Sequence, residues 1–150
     1  MTNRVVFNHV GHCVSDLARS RRFYEELLGF EFWRELEVPD NPADRLMRLS
    51  PPVGLTACYL RRDGFVLELL HYGGAGAAPL PVRARPMNEP GLTHVSVSVD
   101  DIDAACSQVV AHGGEVLDDT NIGGAVMVRD PDGQLIELLP MAYAERMAEL

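Results

Sequence analysis

The sequence predicts an α+β fold built from two tandem βαβββ modules. The main observation is a repeat, because the His-Val pair at His9 returns at His94, 85 residues later, and Asp16 returns at Asp101 with the same spacing. In both copies an alternating apolar stretch, typical of a strand, leads to an acidic residue that can cap a helix. Residues 73–90 between the copies are rich in Gly, Ala and Pro, as in a linker. Residues that recur with one constant spacing indicate a duplicated module.

The first module is predicted to contain the five βαβββ elements and one inserted segment, Pro39–Pro52, which we call the excursion. Alternation of apolar residues favours strands, and Gly29 is expected to end the helix in a left-handed conformation. In order, the elements are a strand over residues 4–14, a helix opened by Ser15 or Asp16, a strand over 30–36, a short helix over 43–49 within the Pro39–Pro52 excursion, and strands over 55–60 and 65–72.

The second module repeats this order without the excursion. Its predicted elements are a strand over 92–99, a helix over 101–111, strands over 115–117, 125–129 and 135–139, and a terminal helix over 141–150. Glu68 of the last hairpin returns as Glu137 only 69 residues later, so the first module is 16 residues longer before that hairpin. The predicted organisation is a first module over residues 1–72, a linker over 73–91, a second module over 92–140 and a helical tail over 141–150, which together form one domain.

Composition and charge restrict the function classes. With 150 residues, of which 47% are hydrophobic, the chain can bury a core of its own. The net charge of −9 disfavours nucleic acid as a partner, because phosphates require a basic surface. All 13 basic residues are Arg, which excludes chemistry that needs a lysine amine.

The cellular location of the protein is predicted from its apolar segments and its cysteines. There is no run of about 18 apolar residues and no signal-type segment at the start, so no membrane partner is expected. Cys13, Cys58 and Cys106 are odd in number and lack CxxC spacing, which suits a reducing compartment. These observations predict a cytoplasmic protein.

The repeat yields two His and two Glu at matching places. His9 and His94 lie on the first strands, beside small residues of the kind that form the floor of a cavity. His12 occupies a position that is Val in the second copy, on the side of the strand that faces the helix, and is therefore expected in the core. Glu68 and Glu137 lie on the last strands, where a carboxylate among apolar residues is costly unless it is paired or metal-bound. Two imidazoles and two carboxylates predict a site for one divalent transition metal, which could be Mn, Fe, Co, Ni or Zn.

Three stretches carry a family resemblance across nearly the whole chain. They are HVGHCVSDL at residues 9–17, FYEELLGF at 23–30 and DPDGQLIEL at 130–138. Through them the chain resembles the vicinal oxygen chelate superfamily, which includes glyoxalase I, methylmalonyl-CoA epimerase, extradiol dioxygenases, fosfomycin-resistance proteins and bleomycin-binding proteins. The resemblance implies paired βαβββ modules that form a cupped mixed sheet around a central metal cavity. The ligand positions of the superfamily fall on His9, Glu68, His94 and Glu137.

The resemblance also implies a reaction. Superfamily members chelate a small substrate through neighbouring oxygens, and the expected chemistry is proton transfer next to a carbonyl through a metal-stabilised enolate. Similarity to the glyoxalase and epimerase members makes Glu137 the expected general base. An epimerase or isomerase is the favoured interpretation, and it needs a second acid or base on the other side of the substrate. The candidates in or beside the excursion are Glu35, Glu37 and Asp44.

Four alternatives stay open at this point. A glyoxalase I-like lyase follows closely, although the first module departs from bacterial glyoxalase I over residues 35–52. The others are a ring-cleaving extradiol dioxygenase with Fe(II), a thiol transferase of the fosfomycin-resistance type, and a non-catalytic antibiotic-binding protein. The expected partners are a small-molecule substrate and a second copy in a homodimer. The sequence leaves open whether the modules pair within one chain or between two chains.

Overall fold

The computed structural model describes residues 4–80, 83 and 85–148. The chain divides into two compact units, and the boundary between residues 80 and 81 falls inside the predicted linker. No helix within the described ranges is both long enough and apolar enough to cross a membrane.

The first unit contains a mixed four-stranded sheet. Its elements are β1 (Val10–Val14), α1 (Leu17–Arg22), which continues as a π-helical turn (Phe23–Leu27), β2 (Glu31–Val38), α2 (Asp40–Met47), β3 (Leu55–Arg62) and β4 (Phe65–Tyr72). The strand order is β1-β4-β3-β2, with β1 parallel to β4 and the other neighbours antiparallel. This is the predicted βαβββ order, and α2 lies in the predicted excursion.

The second unit repeats the sheet with the same topology. Its elements are β5 (His94–Val99), α3 (Ile102–Ala111), β6 (Glu115–Val116), a 3-10 turn (Asp118–Thr120), β7 (Val126–Arg129), β8 (Leu135–Pro140) and α4 (Ala142–Ala148). The strand order is β5-β8-β7-β6, with β5 parallel to β8. The predicted α+β fold of two repeated modules is confirmed.

Equivalent aspartates cap the first helix of each unit. Asp16 Oδ1 accepts a hydrogen bond from the backbone N–H of Arg19 at 3.0 Å, and Asp101 Oδ1 accepts one from Ala104 at 2.9 Å. The bond from Arg19 lowers the pKa of Asp16, because it stabilises the charged carboxylate. Gly29 follows the π-helical turn with a φ of 65°, the left-handed conformation that its position predicts.

Strand β1 is shorter than the predicted strand over residues 4–14. It begins at Val10, which is paired with Leu67 of β4. Because β4 begins at Phe65, the chain before residue 8 extends beyond the end of that strand. Phe7 stacks on the Phe65 ring at a centroid distance of 6.5 Å. The alternating sequence pattern therefore begins before the point at which β4 can pair with the chain, and the observed strand is shorter than the pattern.

The two faces of the first sheet have different neighbours. On the helix face, which α1 and its π-helical turn cover, Val14 is completely buried. His12 points to the same face and contacts the Tyr24 ring at 5.9 Å, as expected from its Val position. Gly11 and Glu68 are paired and point to the opposite face, which we call the Glu68 face.

Helix α2 packs against one end of the Glu68 face. Its Ala43 joins a buried apolar cluster with Val53, Leu55 and Ala77, against which Val38, Met47, Leu49, Leu70 and Tyr72 also pack. Asp40 ties the start of α2 to the start of β3, because its Oδ1 accepts from Val53 N at 3.0 Å and from Gly54 N at 3.2 Å. The excursion therefore covers the part of this face nearest Leu55 and leaves Glu68 at its border.

Candidate metal centre

His9 and Glu68 form a close pair in the first unit. His9 directly precedes β1, and its Nε2 lies 2.9 Å from Glu68 Oε2. Glu68 is only 8% exposed, and Leu67 and Leu69 beside it in β4 are buried. The contact with His9 offsets part of the cost of burying this carboxylate.

His94 and Glu137 form the corresponding pair in the second unit. His94 Nε2 lies 3.6 Å from Glu137 Oε2, and Ser96 Oγ donates a hydrogen bond to the same oxygen at 2.7 Å. The Glu137 side chain is 26% exposed, compared with 10% for the Glu68 side chain. Glu137 is therefore the more accessible of the two carboxylates.

The residue before each histidine contacts its other ring nitrogen. Asn8 Oδ1 lies 2.6 Å from His9 Nδ1, and Thr93 Oγ1 lies 2.9 Å from His94 Nδ1. These contacts fix the orientation of each imidazole ring and leave its Nε2 directed towards the glutamate of the same unit. A histidine that ligates a metal through one nitrogen is usually held through the other in this way.

The spacing within each pair fits a divalent transition metal. Bonds of about 2.1 Å from a metal to nitrogen and oxygen place adjacent ligands about 3.0 Å apart at octahedral angles and about 3.4 Å apart at tetrahedral angles. The nitrogen-to-oxygen distances of 2.9 and 3.6 Å are near these values. Within the described part of the chain, no group of three or more His, Cys, Asp or Glu side chains is placed to hold a metal. Each unit brings together two candidate ligands, and a site that uses all four stays a prediction.

Tyr59 contacts Glu68 and was missed by the sequence reasoning. It is paired with Glu68 across β3 and β4, so its side chain lies beside the carboxylate on the same face of the sheet. Burial raises the pKa of Tyr59 and the nearby negative charge of Glu68 raises it further, so the hydroxyl keeps its proton. The signal lies in the hairpin: Tyr59 is four residues before Asp63 and Glu68 four residues after Gly64, on either side of a two-residue turn.

A β-bulge brings two more side chains to Tyr59. The pairing of β2 with β3 shifts by one residue between Phe32 and Arg34, with Trp33 in between. Both Trp33 and Arg34 then contact the Tyr59 ring: the indole edge-on at a centroid distance of 6.1 Å, and the guanidinium carbon 4.7 Å from the centroid. In a regular strand, consecutive side chains point to opposite faces of the sheet. A bulge interrupts this alternation, so Trp33 and Arg34 can contact the same residue.

Glu35 lies on the helix face of the first sheet, away from Glu68. It is paired with the completely buried Cys58, and its Oε2 is 3.5 Å from Nη1 of Arg21 in α1. The Glu35 carboxylate therefore faces a helix arginine on the other side of the sheet from Glu68, and its role as a second acid or base stays a prediction. Glu37, two residues further along β2, points to the same face as Glu35 and accepts from Thr56 Oγ1 at 3.0 Å. Asp44, the third candidate, lies in α2.

The sequence matches the glyoxalase/bleomycin resistance protein/dioxygenase superfamily over residues 6–138. The chain belongs to this superfamily, and the resemblance drawn from its three sequence stretches is confirmed.

Two plant and bacterial relatives are named for the same activity. The chain is 27% identical over 139 residues to lactoylglutathione lyase GLX1 of Arabidopsis thaliana, a match that covers 89% of this chain and 43% of that protein. It is 26% identical over 148 residues to lactoylglutathione lyase of Pseudomonas aeruginosa, covering 93% of this chain and 84% of that protein. The chain thus spans less than half the length of the Arabidopsis relative.

A mammalian relative and a solved structure extend the comparison. Mitochondrial methylmalonyl-CoA epimerase of Bos taurus is 28% identical over 98 residues, covering 65% of this chain and 49% of that protein. The structure of Leishmania major glyoxalase I, described as trypanothione-dependent, matches with a TM-score of 0.65 and 26% identity, covering 94% of this chain and 90% of that chain. These relatives are named as enzymes, in agreement with the expected lyase, isomerase or epimerase.

Proposed function

We propose that the chain is a divalent-metal-dependent enzyme that transfers a proton next to a carbonyl group, as a glyoxalase I-like lyase. The observation that carries the proposal is the repeated pair. In both units a His Nε2 faces a Glu oxygen, and the preceding polar residue contacts the other ring nitrogen. A second support is the name lactoylglutathione lyase borne by relatives from a plant and a bacterium.

One metal ion is bound, in this proposal, by two His–Glu pairs. The pairs come from the two modules of one chain or from two copies in a homodimer. The ligands are His9, Glu68, His94 and Glu137, and the ion is Mn, Fe, Co, Ni or Zn. When bound, such an ion is a Lewis acid that polarises a carbonyl of the chelated substrate.

Glu137 is the proposed general base. A base must reach a carbon-bound proton of the substrate, and Glu137 is more exposed than Glu68. The hydrogen bond from Ser96 orients one of its oxygens without enclosing the side chain.

The placement of Glu35 favours a lyase over an epimerase. An epimerase moves a proton to or from both sides of one carbon and so needs a second acid or base. Glu35, the first candidate for that role, faces Arg21 on the helix face. Epimerisation is the second candidate function, because bovine methylmalonyl-CoA epimerase is among the relatives.

A thioester assay tests the proposal. Removal of glutathione from a lactoyl thioester leaves a three-carbon ketoaldehyde, so the protein loaded with each metal in turn is incubated with that ketoaldehyde and a thiol. Because α2 occupies the region where the first module departs from bacterial glyoxalase I, glutathione is compared with trypanothione and other small thiols. We expect metal-dependent formation of a lactoyl thioester with at least one thiol.

The same preparations exclude the competing reactions. Deuterium exchange beside the carbonyl of methylmalonyl-CoA in deuterated water, without lactoyl thioester formation, would replace the lyase by an epimerase. Oxygen consumption with a catechol would contradict proton transfer altogether and favour a ring-cleaving dioxygenase.

Homodimer formation and a cytoplasmic location complete the proposal. The cytoplasmic location is supported by Cys13, Cys58 and Cys106, whose odd number and lack of CxxC spacing suit a reducing compartment. Light scattering during size-exclusion chromatography measures the oligomeric state, and a monomeric mass in the active preparation would contradict the dimer.

A further inference from the structure

Arg34 lies on the Glu68 face of the first sheet, in the same row as the glutamate. The register pairs Arg34 of β2 with Tyr59 of β3, and Tyr59 with Glu68 of β4. Residues paired across strands point to the same face of a sheet, and neighbouring strands are about 4.8 Å apart. The backbone of Arg34 is therefore two strands, or roughly 10 Å, from the backbone of Glu68.

The Arg34 guanidinium is exposed and has no carboxylate partner among the described residues. The other two arginines in the strands of this sheet are ion-paired. Arg61 Nη2 lies 3.4 Å from Glu31 Oε2, and Arg62 Nε lies 3.2 Å from Asp63 Oδ2. Carboxylates are not scarce, because the chain has 22 acidic residues and 13 basic ones. The positive charge of Arg34 is therefore available to an anion that comes from outside the chain.

Two aromatic rings hold this guanidinium in place. Its central carbon lies 4.6 Å from the centroid of the Trp33 ring and 4.7 Å from the centroid of the Tyr59 ring. A cation over a ring is attracted by the π electrons and keeps its N–H groups, which a guanidinium presents as a fork that matches a carboxylate. Because the side chain is already ordered, less conformational freedom is lost when an anion binds.

The second unit has no cation at the equivalent position. Met127 is paired with Glu137 as Tyr59 is paired with Glu68. The next residue in that row is Leu117, whose N–H donates to the Met127 carbonyl oxygen at 3.0 Å. The row beside Glu137 is therefore apolar, and the arginine is a feature of the first module rather than of the repeat.

We propose that Arg34 binds a carboxylate of the thiol component of the substrate, next to the indole of Trp33. This inference rests on the proposed function, in which a thiol and a ketoaldehyde react together. A three-carbon ketoaldehyde is about as long as one residue, roughly 3.5 Å, and does not extend from Glu68 to Arg34. A peptide-like thiol of two or three residues extends about 7 to 11 Å and does. The substrate class is therefore a short peptide thiol that carries a carboxylate.

The test compares Arg34→Gln with a matched variant, Arg61→Gln. Arg61 is two residues from Tyr59 in β3 and so lies on the same face, but it is already paired with Glu31. The probes are S-methylated glutathione and S-methylated cysteinylglycine, each as the free acid and as the ester of its carboxylates. Isothermal titration calorimetry gives the dissociation constants. Fluorescence reports binding beside Arg34, because Trp33 is the one tryptophan of the chain.

We expect the wild-type protein to bind each free acid about fivefold more tightly than its ester, with a change in Trp33 emission. Arg34→Gln should bind acid and ester equally, whereas Arg61→Gln should keep the preference for the acid. Arg34→Lys should keep part of it, because the charge remains but the fork of N–H groups is lost. Added salt should reduce the preference in the wild-type protein. The melting temperature of each variant is the folding control.

Three results would overturn the carboxylate site. They are equal or undetectable binding of acid and ester by the wild-type protein, a preference that survives in Arg34→Gln, and a loss of equal size in Arg61→Gln, which would show a general effect of charge on this face. The two proposals fail separately. Formation of a lactoyl thioester without any preference for the acid would leave the proposed function standing. A preference that depends on Arg34, in a protein that forms no thioester, would retain the carboxylate site and remove the lyase.

Discussion

Glu68 and Glu137 occupy equivalent strand positions but have different surroundings. Glu68 is nearly buried and contacts both His9 and Tyr59. Glu137 is more exposed and receives a hydrogen bond from Ser96. Because burial restricts a carboxylate while exposure lets it meet a substrate, the duplicated residue is suited to two different roles.

At the scale of single residues, Glu137→Gln should abolish proton abstraction. Since a general base contributes about 10² to 10⁴ in rate, kcat should fall by that order. Glu68→Gln is the matched variant, and its main effect should be weaker metal binding. Steady-state kinetics at saturating metal, combined with metal titrations, separate the two effects. A larger kcat loss in Glu68→Gln than in Glu137→Gln at full metal occupancy would show that the roles are reversed.

The excursion between β2 and β3 is the element that distinguishes the first module from the second. Its helix α2 packs over Leu55 and Leu70 at one end of the Glu68 face, and Asp40 joins it to the backbone at the start of β3. This element occupies the stretch in which the chain departs from bacterial glyoxalase I. It is therefore the element most suited to set which substrate reaches the Glu68 face.

At the scale of elements, Asp40→Ala should loosen the excursion. Loss of its two hydrogen bonds leaves the amides of Val53 and Gly54 unpaired, at a cost of about 1 to 3 kcal/mol. Hydrogen exchange at these two amides should accelerate, and the melting temperature should fall. Asp40→Asn keeps an accepting oxygen and should behave like the wild type. Unchanged amide exchange in Asp40→Ala would show that the aspartate does not hold this junction.

The molecule as a whole gains its proposed activity from two modules that each hold an incomplete site. A pair of ligands binds a divalent metal far more weakly than four do, so duplication links metal binding to the presence of both modules. A metal that binds the native chain and not the unfolded one must also stabilise the fold.

At the scale of the whole molecule, metal should raise the melting temperature. A free metal concentration 100 times the dissociation constant stabilises the native state by about 2.7 kcal/mol, which is roughly 5 to 10 °C for a chain of this size. The His9→Ala, His94→Ala double variant should lose this increase, and His112→Ala at the end of α3 should keep it. Elemental analysis should find about one ion per chain. Two ions per chain would show that each pair binds metal independently.

Much of the fold could be predicted from local pattern. Apolar alternation and the two aspartate caps located the strands and the first helix of each module, because these features depend on residues near one another in the chain. The repeat predicted that His9, Glu68, His94 and Glu137 form one site. The structure brings His9 close to Glu68 and His94 close to Glu137, and the site of all four stays a prediction. The short β1 was not expected, since its start depends on where β4 begins.

By itself, the sequence determined the order of elements, the duplication and the identity of the four candidate ligands, because periodicity and spacing are properties of one strand or helix at a time. Only the tertiary structure decided which residues face one another across strands. It placed Glu35 against Arg21, brought Arg34 to the Tyr59 ring through a bulge, and paired Tyr59 with Glu68 across two strands. The physical reason is that register and bulges are set by hydrogen bonding between strands, and a single residue of shift reverses the face to which a side chain points.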